Sequence, residues 1–487
     1  MKFLLIRPPF AVEKFYFPRT INESLGIESL EAFLKPTHKI ETIDTIAEGW
    51  NHYWRTSAYP EIIFQGIKPK NLIPRIIKAK PEMIGLSWLF STQTPSIELI
   101  IKEIRKINSQ VPIIVGGPCP SANPIEILTN HPEIDMVIYG EGEITLKEIL
   151  DNQLNNLENI RGLAYRQNGQ IKVNPPRALI ENLDSLPLPC RHPQFHQNYS
   201  KIFFYQAIYS RLAKLCLGER PTMATAGQLS ALPRLNKIYY LLYNAKNKKW
   251  LPSADLITSR GCPNHCTFCA IHNIWGHRWR MRSANNVLAE IELLVKKFKV
   301  KHLNFQDDNF NVSKERIITI CKEIVKNNYQ ITLLAPSGAY VGTLDKEVLT
   351  WLKKAGMHAI RLSIESGNQD ILYNVIKKNI DLNNVKAVVD VCRELKIYTE
   401  GCFIFGIPGE SLETMQDSLE FAKAMGFNRT IKFIFQPFTN TELYDLCVEK
   451  GYLTPDYDPT QAYVTGSRCF VKTEKFSPAD VLKIVNR

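Results

Sequence analysis

At 487 residues, 45% of them hydrophobic, the chain is long enough for two or three domains with cores of their own. Its 60 Lys+Arg outnumber 48 Asp+Glu, a net charge of +12, but the lysines are spread along helical faces, as at Lys353-Lys354 and Lys377-Lys378, and read as solvated surface. No nucleic-acid module is recognisable and no apolar run approaches the ~18 to 20 residues of a membrane span. Residues 1–7 lack the apolar core and cleavage site of a signal peptide, so a cytoplasmic location is expected.

Residues 2–8 form a short apolar run closed by Pro8-Pro9, a strand followed by a loop. Helical spacing over 25–34 and strand alternation over 38–46 come next. After a polar, aromatic interval, strands are expected at 83–90, 112–117 and 136–143, with helices at 94–108, 125–130 and 145–152. Strands alternating with helices on this scale make an α/β domain with a Rossmann-like, doubly wound parallel sheet. Such sheets bind ligands at the carboxyl ends of their strands, where Ser87, Gly116, Gly117, Gly140 and Gly142 fall.

From residue 160 the pattern changes. Residues 163–167 and 170–173 flank Asn168-Gly169, a hairpin signal, and Leu186-Pro-Leu-Pro is a linker. Residues 198–250 are aromatic and partly basic. They read as linker helices burying their rings between domains, or as a lid or membrane-docking surface for a greasy substrate.

The stretch Ser259-Arg-Gly-Cys-Pro-Asn-His-Cys-Thr-Phe-Cys-Ala270 sets Cys262, Cys266 and Cys269 in a C-x3-C-x2-C array just after a strand at 255–258. Three soft ligands on one loop suit an iron–sulfur cluster. A structural zinc site wants four ligands, usually two separated pairs. No second C-x2-C pair follows, so on that alternative His265 or His272 would be the fourth. The remaining cysteines, Cys119, Cys190, Cys216, Cys321, Cys392, Cys402, Cys447 and Cys469, are scattered and read as buried thiols, not as a disulfide framework. Residues 274–283, with three arginines and two tryptophans, either meet a charged or planar substrate or pin the cysteine loop.

The second half repeats a strand–helix unit. Strands are expected at 255–258, 302–306, 331–335, 359–364, 400–405 and 431–436, with helices at 285–297, 314–327, 346–355, 382–395 and 412–425. Six such units form a partial (βα)6 barrel, open on one side, with its site at the strand ends. Gln306-Asp307-Asp308-Asn309 ends the second strand and Ser363-Ile-Glu365 the fourth. Alternation turns Ser363 and Glu365 toward the barrel interior, where a buried acid needs a partner.

The array, with Phe268 before its last cysteine, resembles the signature of the radical S-adenosylmethionine (SAM) enzymes. The N-terminal sheet, with Gly116-Gly117 and Gly140-Glu-Gly-Glu143, resembles the cobalamin-binding domain that precedes the core in the cobalamin-dependent members. This resemblance implies a [4Fe–4S] cluster on Cys262, Cys266 and Cys269, with SAM chelating the open iron and cleaved to a 5′-deoxyadenosyl radical. It implies SAM contacts at Phe268, Gln306, Asp307, Asp308, Ser363, Glu365 and Gln436, and cobalamin contacts at Ser87, Gly116, Gly117, Gly140, Glu141 and Gly142.

The chain departs from the better known cobalamin proteins in lacking Asp-x-His-x-x-Gly: its nearest match, Asp44 to Gly49, has Ile46 in place of the histidine. In the segment after Gln436, Thr439 and Asn440 replace the Pro-Gly of the family's Pro-x-Pro-Gly-Thr-x-Leu-Tyr. The implied division is a cobalamin-binding domain over 1–155, a hairpin and helical linker over 156–250, a radical SAM core over 251–455 and an extension over 456–487. The implied activity is methylation of an unactivated carbon, with cyclisation or rearrangement as the alternative. Two further readings are a radical SAM enzyme whose N-terminal domain serves only docking, and a non-catalytic, metal-stabilised binding protein. The implied partners are a one-electron reductant such as flavodoxin or ferredoxin and a small-molecule or lipid substrate. No nucleic acid is expected, and peripheral membrane contact stays open.

Overall fold

The structure is a computed structural model that describes residues 1–13, 21–202, 252–461 and 468–486. Most of the aromatic, basic stretch at 198–250, together with Cys216, lies outside the described residues. The chain divides into two compact units: Met1–Ala178 with Pro187–Ala254, and Leu179–Leu186 with Asp255–Arg487.

In the first unit a seven-stranded sheet runs, edge to edge, Gln170–Val173, Leu163–Gln167, Met136–Ile138, Ile113–Gly116, Met83–Ser87, Lys2–Arg7 and Lys39–Asp44. The last five are parallel; the hairpin strands add on antiparallel, so the expected parallel sheet is a mixed one. Alternate residues build two cores. Leu4, Ile6, Ile84, Leu86, Ile113 and Val115 pack with Ile97, Ile100 and Ile104 of the helix Thr94–Ile107. Phe3, Leu5, Met83, Ile114 and Met136 pack on the other face with Ile27 and Leu34 of Leu25–Leu34 and with Leu146 and Ile149 of Gly142–Asp151. Strands covered on both faces are apolar throughout, which is why they read so plainly. The polar, aromatic interval hides a second sheet, Phe10–Glu13, Tyr59–Gln65 and Tyr53–Thr56, antiparallel and held by a Trp54–Phe64 stack at 4.3 Å.

The second unit carries the strands Ser253–Leu256, His302–Phe305, Thr332–Leu334, Ala359–Glu365, Tyr398–Phe405 and Arg429–Ile434. Between them lie the helices Ala284–Lys296, Lys314–Lys326, Lys346–Lys354, Leu382–Glu394 and Leu412–Met425. The strands form two three-stranded parallel ladders, linked by isolated parallel bridges at Leu333 with Met357 and Ala339 with Leu362. The helices are capped by residues visible in the sequence: the side chains of Ser283, Ser313, Asp345, Asp381 and Ser411 each accept a first-turn N–H. No helix among the described residues is long and apolar enough to cross a membrane.

Candidate functional site

In the first unit, Ser87, Gly116, Gly117, Gly140, Glu141 and Gly142 gather at the carboxyl ends of three neighbouring strands. Ser87 pairs with Gly116 in the ladder, and Gly116 with Ile138. Gly117 turns the chain at φ +123°, and a Cβ there would stand 2.6 Å from the Trp88 carbonyl oxygen, so no larger residue fits. Gly140 also has positive φ, +78°, yet a Cβ on it would meet no protein atom within 4 Å. The space over Gly140 is open, as a cradle for a bulky planar ligand requires. Ser121, which nothing in the sequence singles out, ties two of these loops by accepting the Gly140 N–H at 3.1 Å. Asp44, the near match to a cobalamin motif, is a structural hub. It caps the helix Thr45–Glu48 through the N–H groups of Ile46 and Ala47, accepts the Tyr199 hydroxyl at 2.5 Å and lies 3.6 Å from Arg7.

In the second unit the cysteine loop is supported from beneath. Asp307 is buried, and its carboxylate accepts the Thr258 N–H, the Thr258 hydroxyl and the Ser259 hydroxyl. Its carboxylate thus acts on the entry to the loop. Burial raises its pKa, while the Ser259 and Thr258 bonds oppose that rise. Asp308 accepts the Gly261 N–H at 3.1 Å while the residue itself stays exposed at the strand end. Asn264 and Asn309 direct side-chain N–H groups at the Cys262 sulfur, at 3.4 and 3.8 Å. Thr267 fastens the middle of the loop: its N–H donates to the Ile376 carbonyl at 3.0 Å and its hydroxyl to the Val375 carbonyl at 2.8 Å.

Cys262, Cys266 and Cys269 are free thiols, partly exposed, and Cys269 donates its N–H to the Cys266 carbonyl at 3.0 Å. Burial raises Cys266 to about 11 and Cys269 to about 12, so in the metal-free chain both are protonated. Metal uptake there must release protons. Among the described residues no three His, Cys, Asp or Glu side chains are already drawn together tightly enough to hold a metal ion. The donor set itself, three thiols with amide donors at one sulfur, suits a cluster. His265, His272 and His277 stack on one another beside the loop, the last two with ring centroids 3.9 Å apart.

Phe268 is half-buried within the loop. Gln306 donates to Asp255, which also accepts from Asn304. Gln436 is buried and donates to the Arg468 carbonyl at 3.1 Å. Glu365 is buried at φ +77°, where the ladder slips one residue between Ser363 and Glu365, so simple alternation does not carry across. Its partner is Lys378, whose ammonium donates to the Glu365 carboxylate at 2.7 Å and to the Ser363 carbonyl at 2.8 Å. This corrects the reading of Lys377-Lys378 as solvated surface: Lys377 takes a left-handed conformation after the π-helical turn Ile371–Ile376 and swings Lys378 inward, to 5% exposure.

The arginine- and tryptophan-rich segment is largely committed to the protein. Arg278 pairs with Glu181, Arg280 with the Ile180 carbonyl and Arg282 with Glu290, while the Trp279 indole N–H donates to the Asn309 carbonyl. These contacts favour its role as an anchor of the cysteine loop. Five of the scattered cysteines are buried as expected; Cys119 and Cys190 are only partly so.

A partial βα barrel with a three-thiol loop at its first strand defines a class of iron–sulfur enzyme site. The model of the radical SAM superfamily matches residues 256–422 and that of the B12 binding domain residues 24–150. The chain thus carries a radical SAM domain preceded by a B12-binding domain. It is 27% identical over 457 residues to an uncharacterized methyltransferase of Pyrococcus horikoshii, covering 93% of this chain and 84% of that protein. It is 25% identical over 487 residues to cytidylyl-2-hydroxyethylphosphonate methyltransferase of Streptomyces wedmorensis, covering 93% and 83%. Its fold is similar to that of the radical SAM methyltransferase TsrM from Kitasatospora setae, solved with cobalamin and a [4Fe–4S] cluster. The TM-score is 0.65 at 17% identity, over 93% of this chain and 76% of that one.

Proposed function

We propose that the chain is a cobalamin-dependent radical SAM methyltransferase that methylates an unactivated carbon of a small molecule. The observation that carries this reading is the three-thiol loop at the end of the first barrel strand. It occurs in a chain whose other unit gathers small residues at the ends of three parallel strands. Cys262, Cys266 and Cys269 would hold a [4Fe–4S] cluster, and Ser87, Gly116, Gly117, Gly140, Glu141 and Gly142 would line the cobalamin. When bound, these groups supply radical chemistry and methyl carriage, which no side chain here can provide.

The protein's own part is positioning. Asp307 fixes the entry of the cysteine loop and Thr267 its middle, and Asn264 and Asn309 offer hydrogen bonds to a thiolate at Cys262. Phe268, Gln306, Asp308, Ser363, Glu365 and Gln436 are proposed to contact SAM. Glu365 and Asp308 can accept from its ammonium, while Asp307 is committed to Thr258 and Ser259 at the entry to the loop. A flavodoxin or ferredoxin would supply electrons.

The test is an anaerobic incubation of the reconstituted chain with reductant, cell extract and SAM labelled in its methyl group. Label recovered in a new carbon-bound methyl supports the proposal. A product without label favours cyclisation or rearrangement instead.

A further inference from the structure

The ion pair of Glu365 and Lys378 is deeply buried, next to the cysteine loop, and the sequence motifs do not account for the lysine. Two features place it there. Thr267, between Cys266 and Cys269, is bonded through its N–H to the carbonyl of Ile376, two residues before Lys378. Lys378 then turns back to the end of the strand Ala359–Glu365, donating to both Ser363 and Glu365. The local backbone is unusual at three adjoining points: the π-helical turn Ile371–Ile376, left-handed Lys377 and left-handed Glu365 at a bulge. Strained non-glycine backbone of this kind persists only where its surroundings enforce it, and it collects at functional sites.

A buried ammonium is costly unless its charge is used. Glu365 supplies the counter-charge through one carboxylate oxygen, so the pair is neutral overall and acts on its surroundings as a fixed dipole with its ammonium end at Lys378. Burial works against the charge, but the Glu365 carboxylate outweighs it and keeps Lys378 protonated.

Resting on the reading that the three cysteines hold a [4Fe–4S] cluster, we propose that Lys378 is a positioning residue that sets the cluster's reduction potential. Its fixed positive charge lies just past the Ile376 carbonyl that fastens the loop at Thr267 and favours the reduced, more negative cluster, while Glu365 limits the effect. Net charge, hydrogen bonds to sulfur and solvent exposure are the protein's means of setting such potentials. A cluster that must pass an electron to a bound sulfonium needs a potential within reach of its external donor. A single charge locked in place by two acceptors can hold it there.

The experiment is an EPR-monitored redox titration of the full-length, anaerobically reconstituted chain without SAM, comparing wild type with Lys378→Met, Lys378→Arg and Glu365→Gln. Lys378→Met should make reduction about tenfold less favourable, ~59 mV lower for a one-electron couple. Glu365→Gln should shift the potential the opposite way, and Lys378→Arg should stay near wild type. Should Lys378→Met fail to take up iron, the direction of the Glu365→Gln shift decides: upward supports the proposal, and no change or a fall overturns it. Fully loaded variants with wild-type potentials overturn the lysine's role alone. A wild-type chain that takes up no iron and sulfide overturns the cluster reading beneath it.

Discussion

The carboxylate of Asp307 grips Thr258 twice, accepting its backbone N–H at 3.0 Å and its hydroxyl at 2.7 Å, at the corner where the first barrel strand becomes the cysteine loop. Arg316 reaches the same corner, donating to the Thr258 carbonyl and hydroxyl. Asp307→Asn removes the charge facing this buried arginine and turns an acceptor into a donor opposite two hydroxyls. The expected cost is about 3 kcal/mol. It should appear as a lower thermal midpoint and as faster loss of iron to a chelator from the reconstituted chain.

Gly117 and Gly140 separate backbone need from ligand need. Alanine at Gly117 collides with the Trp88 carbonyl, so Gly117→Ala should lower both the melting temperature and cobalamin uptake. Alanine at Gly140 meets no protein atom and costs only about 1 kcal/mol for its left-handed backbone. Gly140→Ala should therefore fold, while its cobalamin affinity, followed by visible absorbance, falls about tenfold or more, because the added methyl enters the open cradle. Unchanged affinity would remove Gly140 from that cradle.

Glu410 closes the turn after the fifth barrel strand, accepting the Ile407 N–H at 2.8 Å, and is 0% exposed. Burial lifts its carboxyl to about 8, against 4.5 for an ordinary glutamate. Between these values the folded chain keeps a proton that the unfolded chain has released. Stability therefore declines as pH rises through that window, by about 1.4 kcal/mol per unit. Glu410→Gln, which mimics the protonated acid, should flatten this slope. Melting curves at pH 6 and pH 8 should show the variant gaining on wild type at the higher pH.

The regular elements were legible because their residues are buried on known periods: the helix over 25–34 and the six barrel strands lie within a few residues of their expected places. The sheet Phe10–Glu13, Tyr59–Gln65, Tyr53–Thr56 was not, since aromatic and polar side chains blur its alternation and no glycine marks its turns. The cysteine array was readable because three ligands share one loop. Lys378, Thr267 and Asn309 were not, because each meets that loop through contacts that sequence spacing does not encode, 109 residues apart for Thr267 and Ile376. Lys378 in particular looked like one of two adjacent surface lysines; only the left-handed turn at Lys377 shows it facing inward.

The most direct measurement is the EPR spectrum of the reduced, reconstituted chain with and without SAM, in wild type and in Cys262→Ala. A three-cysteine cluster with an open iron predicts a [4Fe–4S] signal whose g values move when SAM is added, and its loss from the variant while cobalamin stays bound. A spectrum indifferent to SAM, a signal that survives the cysteine substitution, or zinc in place of iron and sulfide would contradict it.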